Sequence, residues 1–349
     1  MNRVGIDAKI PSPSAVAGGR SSFAVVIVNF RTSHLVLDCL DSLDSDIANR
    51  GRMHVVVVDN DSRDGSVELI RQAVAASGRG FWITVVAADR NGGFASGNNI
   101  GIGVARRSLR DLAAIVLLNP DTIARPGCLV RLVDFLASRP KAGIVGASLE
   151  NGEGGPEPSA HRFPSPLGEL EGASAFGPLT QLLRGHVVTP PILDQAHVCD
   201  WVSGACLAIR REVLDGVGSL DEGYFLYFEE VDYCRRANIA GWECWRLPDA
   251  TVVHLEGAST GIKIKRRRRP AYWYASRRRF FAVHLGLAGL LAADTLWSLG
   301  RASLVLRRAL RLGGNRAADD EPLSQARDLL TGDIKALLRG ELGRRTTAR

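Results

Sequence analysis

From residue 24 onward, short apolar runs alternate with stretches whose apolar positions recur at helical spacing. The runs Ala24–Asn29, His54–Asp59, Ile83–Ala87 and Ala113–Leu118 read as buried strands, and Gly143–Ala147 as a shorter one. Leu35, Leu40 and Leu43, then Ser66–Ala76, Asn98–Arg107 and residues 127–138, carry the helical pattern. Strands alternating with helices predict an α/β fold built of βαβ units, with a mostly parallel sheet covered on both faces. Residues 150–190 interrupt the rhythm. Gly152, Gly154, Gly155, Pro156, Pro158, Pro164 and Pro166 crowd there, so a long loop is predicted. Order returns at Val198–Ile209 and continues to His254, after which a basic run, an apolar run and a charged amphipathic tail follow. The expected organisation is a flexible leader over 1–20, one α/β domain over 21–259 and a basic helical region over 260–349.

Charge changes this picture in one place. The chain of 349 residues has a net charge of +7. Residues 263–279 hold nine Lys or Arg and no acid, so the remainder stands at −2 and the basicity is local. That segment seeks anions. With no recognised nucleic-acid module beside it, the pattern reads against nucleic-acid binding. Phe280 to Ala293 is apolar but short of the roughly twenty residues that cross a bilayer. Over 301–312, Ala302, Val305, Leu306, Ala309 and Leu312 share one side, which with the basic run predicts attachment to anionic lipid over 263–312. A helical pair packed on the main domain is the competing reading. The six cysteines show no C-x-x-C or zinc spacing, and residues 1–20 lack an apolar signal core, so a cytoplasmic chain is expected.

Five places carry candidate chemistry. Asp59 ends a buried strand, where a carboxylate needs a partner; it could accept the imide N–H of a uracil or thymine. Arg90-Asn91-Gly92-Gly93, running on to Asn98, lets a ligand approach backbone at a strand-to-helix turn, without the spacing of a phosphate-binding loop or dinucleotide fingerprint. Asn119-Pro120-Asp121 follows a buried strand and offers one hard oxygen donor suited to Mg²⁺ or Mn²⁺, or simply a type I turn. Glu229-Glu230-Val231-Asp232 follows five bulky apolar residues, a setting that raises a carboxyl pKa and suits a base; three acids at a helix start also suit the helix dipole alone. His254 closes a late strand as a structural residue or a metal ligand.

In order, VVIVNF, VVVVDNDSRDGS, NGGFASGNN, LLNPDT, WVSGACLAIRREVL, FLYFEEVDYCRR and LPDATVVHLEGAS resemble the family 2 glycosyltransferases, especially their rhamnosyltransferase-like branch of cell-envelope glycan synthesis. The resemblance runs from Phe23 to Ser259. It implies the A-type glycosyltransferase fold, Rossmann-like with helices on both faces; the C-terminal helical appendage expected beyond it comes from the pattern of residues 260–349. It implies inverting transfer of a sugar, rhamnose or another deoxysugar, from a nucleotide-diphosphosugar to a glycan or polyprenyl-linked acceptor. Carried over by position, Asp59 holds the nucleobase with Asn29, Arg90, Asn91, Gly93 and Asn98 nearby. Asp121 binds Mg²⁺ or Mn²⁺ with His254, although Asn119 stands where many relatives have Asp. Glu230 falls on the catalytic position with Asp232 as its understudy, and Gly204 and Asp221 fall in the sugar and acceptor pocket. A peripheral place on the inner face of the membrane follows for a lipid-linked acceptor. The competing functions are a catalytically inactive relative, a nucleotidyltransferase and a basic-tail nucleic-acid-binding protein.

Overall fold

The computed structural model describes residues 22–44, 53–255, 269–310 and 322–339. The expected leader and Lys263 to Arg268 of the basic run lie outside these residues. The first half alternates as expected: β1 (Ser22–Asn29), α1 (Ser33–Leu43), β2 (Met53–Asp59), α2 (Ser66–Ala76), β3 (Ile83–Ala87), α3 (Gly93–Ser108), β4 (Leu112–Leu118), β5 (Thr122–Ala124), α4 (Cys128–Ser138) and β6 (Ala142–Glu150). An insert follows, with β7 (Pro156–Glu157), β8 (Ala160–His161), α5 (Pro166–Ser174) and α6 (Gly177–Leu182). The rest comprises β9 (His197–Cys199), β10 (Trp201–Val202), β11 (Cys206–Arg210), α7 (Arg211–Val217), α8 (Glu229–Ile239), β12 (Glu243–His254), α9 (Ala271–Ala309) and α10 (Pro322–Leu338).

The main sheet runs β3-β2-β1-β4-β11-β6-β12-β5. β11 pairs antiparallel with both β4 and β6, and β5 antiparallel with β12, while β1–β4, β6 and β12 share one direction. Alternation along β1 splits the core between two faces. Phe23, Val25 and Ile27 pack with α1, α2 and α4, while Ala24, Val26 and Val28 pack with α3. Strands buried on both faces lose the polar alternation of a half-exposed sheet, which is why the runs are so apolar.

The 150–190 segment is not the long loop its composition predicts. Ser165 caps α5, accepting a hydrogen bond from the Gly168 N–H at 3.1 Å, and Pro166 sits in the first turn, where its missing N–H costs nothing. Helix α5 packs along α9. Buried Arg277 of α9 ties it there, donating to Glu169 at 2.9 Å and to Asp294 at 2.6 Å.

The apolar run at 280–293 lies within one 39-residue helix, α9, whose mean hydropathy of 1.5 over eighteen residues would suit a membrane span by length and composition alone. Gly286 breaks it with φ 69°, a conformation open to glycine. Phe280, Phe281, Leu290 and Ala293 are buried against Tyr224 and Val231, so this part of the helix packs on the α/β domain.

Candidate active site

A cavity of about 460 Å³ opens at the C-terminal ends of β1, β2, β4 and β12, the edge where α/β sheets bind ligands. Three of these strands deliver polar groups at their ends. Asn60 follows β2, Asn119-Pro120-Asp121 follow β4, and His254 ends β12. Gly204 and Ala205 enter just before antiparallel β11. The last wall is the loop 225–227 with Glu229 and Glu230 at the start of α8, and Tyr272 of α9.

Asp59 does not line this cleft, contrary to expectation. Its register partner across β1 and β2 is Asn29. Its Oδ2 accepts from Asn29 Nδ2 at 2.6 Å and from Ser62 Oγ at 2.6 Å, and its Oδ1 accepts from the Ser62 N–H at 3.0 Å. Asp59 and Asn29 therefore lock the two strand ends to the turn beyond them. The neighbouring Asn60 faces the cleft instead. Its Nδ2 donates to Asn91 Oδ1 at 2.9 Å and to the Gly93 carbonyl at 3.0 Å. Both neighbours are acceptors, which fixes the amide's orientation and leaves Oδ1 buried with no partner among the described residues.

Asn91 and Gly93 line the cleft; Arg90 is exposed and outside it. Asn98 also lies outside, inside α3, where its Nδ2 donates to the Phe94 carbonyl at 2.9 Å. Asp221 is likewise absent, because Arg279 of α9 binds its Oδ2 through two nitrogens at 2.6 and 2.9 Å.

Asp121 and His254 come together as expected. β5 pairs antiparallel with β12 so that Thr122 faces His254, and Asp121 Oδ1 stands 3.4 Å from His254 Nε2. Neighbouring ligands on an octahedral ion with bonds of about 2.1 Å stand about 3 Å apart, so this oxygen and nitrogen fit two adjacent positions on Mg²⁺ or Mn²⁺. Among the described residues no third His, Cys, Asp or Glu joins them, which leaves positions for a diphosphate and water.

The turn before α8 is strained. Tyr227 and Phe228 have φ 68° and 69°, a region that costs a side-chain-bearing residue about 1–2 kcal/mol. Rings of α9 hold it: Tyr272 stacks on Tyr227 with centroids 6.1 Å apart, while Trp273 and Phe280 contact Phe228 at 5.8 and 5.7 Å. The turn presents Glu229 and Glu230. Glu230 Oε2 is buried and has no hydrogen-bond partner among the described residues. Burial pushes the Glu230 carboxyl up to about 7, against hydrogen bonds from the first turn of backbone that lower it. Burial and then the charge of Glu230 push the Glu229 carboxyl well above its ordinary value.

Asp232 is differently placed. Its Oδ1 accepts from His284 Nε2 at 2.8 Å and its Oδ2 from Arg236 Nε at 2.7 Å. Burial alone would raise its pKa, but His284 and Arg236 outweigh burial and hold it below the ordinary value. With both oxygens engaged, Asp232 anchors α9 to α8 and is not a spare base. Sequence reading assigned no role to Asn60. The signal for Asn60 was the pairing of two polar strand ends, Asn29 and Asp59, which satisfy each other and pass the cleft to the next residue.

Residues 20–273 match the model of the family described as glycosyltransferase like family 2. The N-acetylglucosaminyl-diphospho-decaprenol L-rhamnosyltransferase of Mycobacterium tuberculosis is 29% identical over 279 residues, covering 76% of this chain and 85% of the relative. The low-salt glycan biosynthesis hexosyltransferase Agl10 of Haloferax volcanii is 31% identical over 227 residues, covering 63% of this chain and 64% of the relative. Among solved structures, the mannosyltransferase PcManGT from Pyrobaculum calidifontis, in complex with GDP-Man and Mn²⁺, superposes with a TM-score of 0.55 at 17% identity, over 94% of this chain and 89% of that one. At that identity the likeness concerns the fold. With the family model spanning the whole sheet and every wall of the cleft, this chain belongs to the family 2 glycosyltransferases and has their A-type fold.

Proposed function

We propose that this cleft transfers rhamnose or another deoxysugar from a nucleoside-diphosphate donor to a hydroxyl of a polyprenyl-diphosphate-linked glycan, inverting the anomeric carbon. The observation that carries the reading is Glu230: a carboxylate whose Oε2 lacks a partner, at the cleft wall facing the ends of β2, β4 and β12. The relatives supply the substrate classes, since one is an L-rhamnosyltransferase acting on a diphospho-decaprenol.

The base of the nucleotide takes the place beside Asn60, whose free Oδ1 accepts the imide N–H of thymine or uracil. Asn91 orients Asn60, and Gly93 gives the backbone a close approach. Asp121 and His254 hold Mg²⁺ or Mn²⁺, which when bound supplies positive charge to the leaving diphosphate. Glu230 removes the proton of the acceptor hydroxyl as that oxygen bonds to the anomeric carbon. The bond from that carbon to the diphosphate breaks, and its electron pair leaves with the nucleoside diphosphate.

The acceptor's lipid calls for a place at the inner face of the membrane, which the surface of α9 supports. Leu287, Leu291, Leu299, Leu306 and Leu310 are exposed on it and just past its end, next in sequence to Lys263, Lys265 and Arg266 to Arg269, while Arg277, Arg278 and Arg279 are paired with acids of the protein. Apolar residues beside a polybasic segment suit an anionic lipid surface.

The test mixes purified enzyme and Mn²⁺ with a panel of nucleotide sugars, dTDP-rhamnose among them, and a polyprenyl-diphosphate-linked sugar. Nucleoside diphosphate is then measured. Release that requires both substrates is the expected result; no release from any donor would overturn the reading.

A further inference from the structure

A second cavity of about 460 Å³ shares Glu230 and Tyr227 with the donor cleft and opens between α5 and α9. Its size is that of a small-molecule site. Three indoles line it, Trp201, Trp273 and Trp297, with Gly168 and Gly172 of α5 also on its wall. Trp201 is fixed, its Nε1 donating to the Arg162 carbonyl at 2.8 Å and its ring stacked on His161. Two guanidinium groups complete the wall. Arg269 lies 4.1 Å above the Trp273 ring, and Arg301 lies 5.3 Å from the Trp297 ring while donating to Gln325 at 2.8 Å. The acids of this cavity are Glu230 and Glu169, and Glu169 is bound to buried Arg277.

Indole faces pack against the C–H faces of a sugar ring, and planar guanidinium groups pair with phosphate oxygens. Stacking on indoles orients both guanidinium groups before a ligand arrives, which lowers the entropy lost on binding. We propose that this second cavity seats the acceptor, with its sugar against Trp201, Trp273 and Trp297 and its lipid-linking diphosphate on Arg269 and Arg301. The accepting hydroxyl then meets Glu230 from the acceptor cavity while the donor's anomeric carbon meets it from the donor cleft. The proton passes to the Glu230 carboxylate, the acceptor oxygen bonds to the anomeric carbon, and the nucleoside diphosphate departs with the pair from the broken bond. This assignment rests on Glu230 as the base of the transfer.

The test separates the two. Farnesyl diphosphate, titrated into the full-length enzyme and followed by tryptophan fluorescence, needs no turnover. Saturable quenching is expected, with the dissociation constant raised tenfold or more in Arg269→Gln and in Arg301→Gln; Arg269 is exposed, so its variant keeps the fold. Uridine diphosphate serves as the second arm, and its affinity should change less than twofold in both variants. In turnover with a farnesyl-diphosphate-linked sugar, the acceptor KM should rise tenfold or more while the donor KM stays within twofold. Unchanged farnesyl diphosphate affinity in both variants, or equal losses for the two diphosphates, would overturn the acceptor site. Absence of turnover despite arginine-dependent farnesyl diphosphate binding would instead overturn the proposed transfer.

Discussion

Glu230 and Asp232 stand two residues apart on α8 and are driven to opposite ends of carboxyl behaviour. Burial without a partner for Oε2 lifts Glu230 to about 7, whereas His284 and Arg236 hold Asp232 below its ordinary 3.8. A base works as its carboxylate, so kcat/KM should climb with pH through about 7 and level off above it. A pH–rate profile that is flat from pH 5 to 8 would remove Glu230 from the role.

Glu230→Gln should lower the rate by about 10²–10⁴ while donor affinity is kept. It should also stabilise the fold at pH 8. The raised pKa means that Glu230 contributes its stability below its ordinary 4.5 and loses it as pH rises through about 7, where the buried charge appears. Asp232→Asn should do the reverse, costing about 1–3 kcal/mol above pH 4 by leaving His284 and Arg236 underpaired. That cost should shrink on acidification below 3.8, because the depressed pKa makes the wild-type contact itself acid-labile. Thermal melts of both variants at pH 8 and at pH 3.5 check the signs.

Gly93 lies at φ 87°, and a Cβ added there would stand 2.2 Å from the Phe225 carbonyl oxygen. The Phe94 N–H donates to that same oxygen at 2.8 Å, so the glycine loop and the turn before Glu229 are bonded together. Gly93→Ala should cost more than about 1 kcal/mol of stability and raise the donor KM by displacing the 225–228 turn. Urea unfolding and donor titration measure both.

Arg277 is buried between Glu169 and Asp294. Arg277→Ala leaves two carboxyls without their counter-charge and should destabilise the protein by about 3–5 kcal/mol. Equilibrium unfolding gives the value; a loss under about 1 kcal/mol would mean that the α5–α9 contact does not depend on this network.

Removing divalent ions with a chelator should abolish transfer, and Mn²⁺ should restore it. Asp121→Ala should raise the Mn²⁺ concentration needed for half-maximal rate at least tenfold. Manganese binding followed by electron paramagnetic resonance, in the presence of a nucleoside diphosphate, gives a readout independent of turnover.

The alternation of strands and helices was legible because a sheet buried on both faces writes near-continuous apolar runs. The antiparallel insertion of β11 was not, since Cys206–Arg210 is as apolar as its parallel neighbours and direction leaves no mark on composition. Helix α5 was hidden by Gly and Pro residues whose density suggests a loop, although Ser165-Pro166 is a sound helix start. Asn91, Gly93, Asn119, Asp121, Gly204, Glu230 and His254, from five separate motifs, line one cleft. Asp59, Asn29 and Asp221 carry the same polar signature but spend it on Ser62, on each other and on Arg279, partners set by register and by a helix far along the chain.

Tyr272, Trp273 and Phe280 brace the turn at Tyr227 and Phe228, so the machinery is divided between stretches of polypeptide that are synthesised at different times. A nascent chain extended only to His254 already carries Glu230, Asp121 and His254, yet lacks the three rings packed on its strained turn. The turn that presents Glu230 therefore gains its ring contacts only once translation has delivered the C-terminal helix.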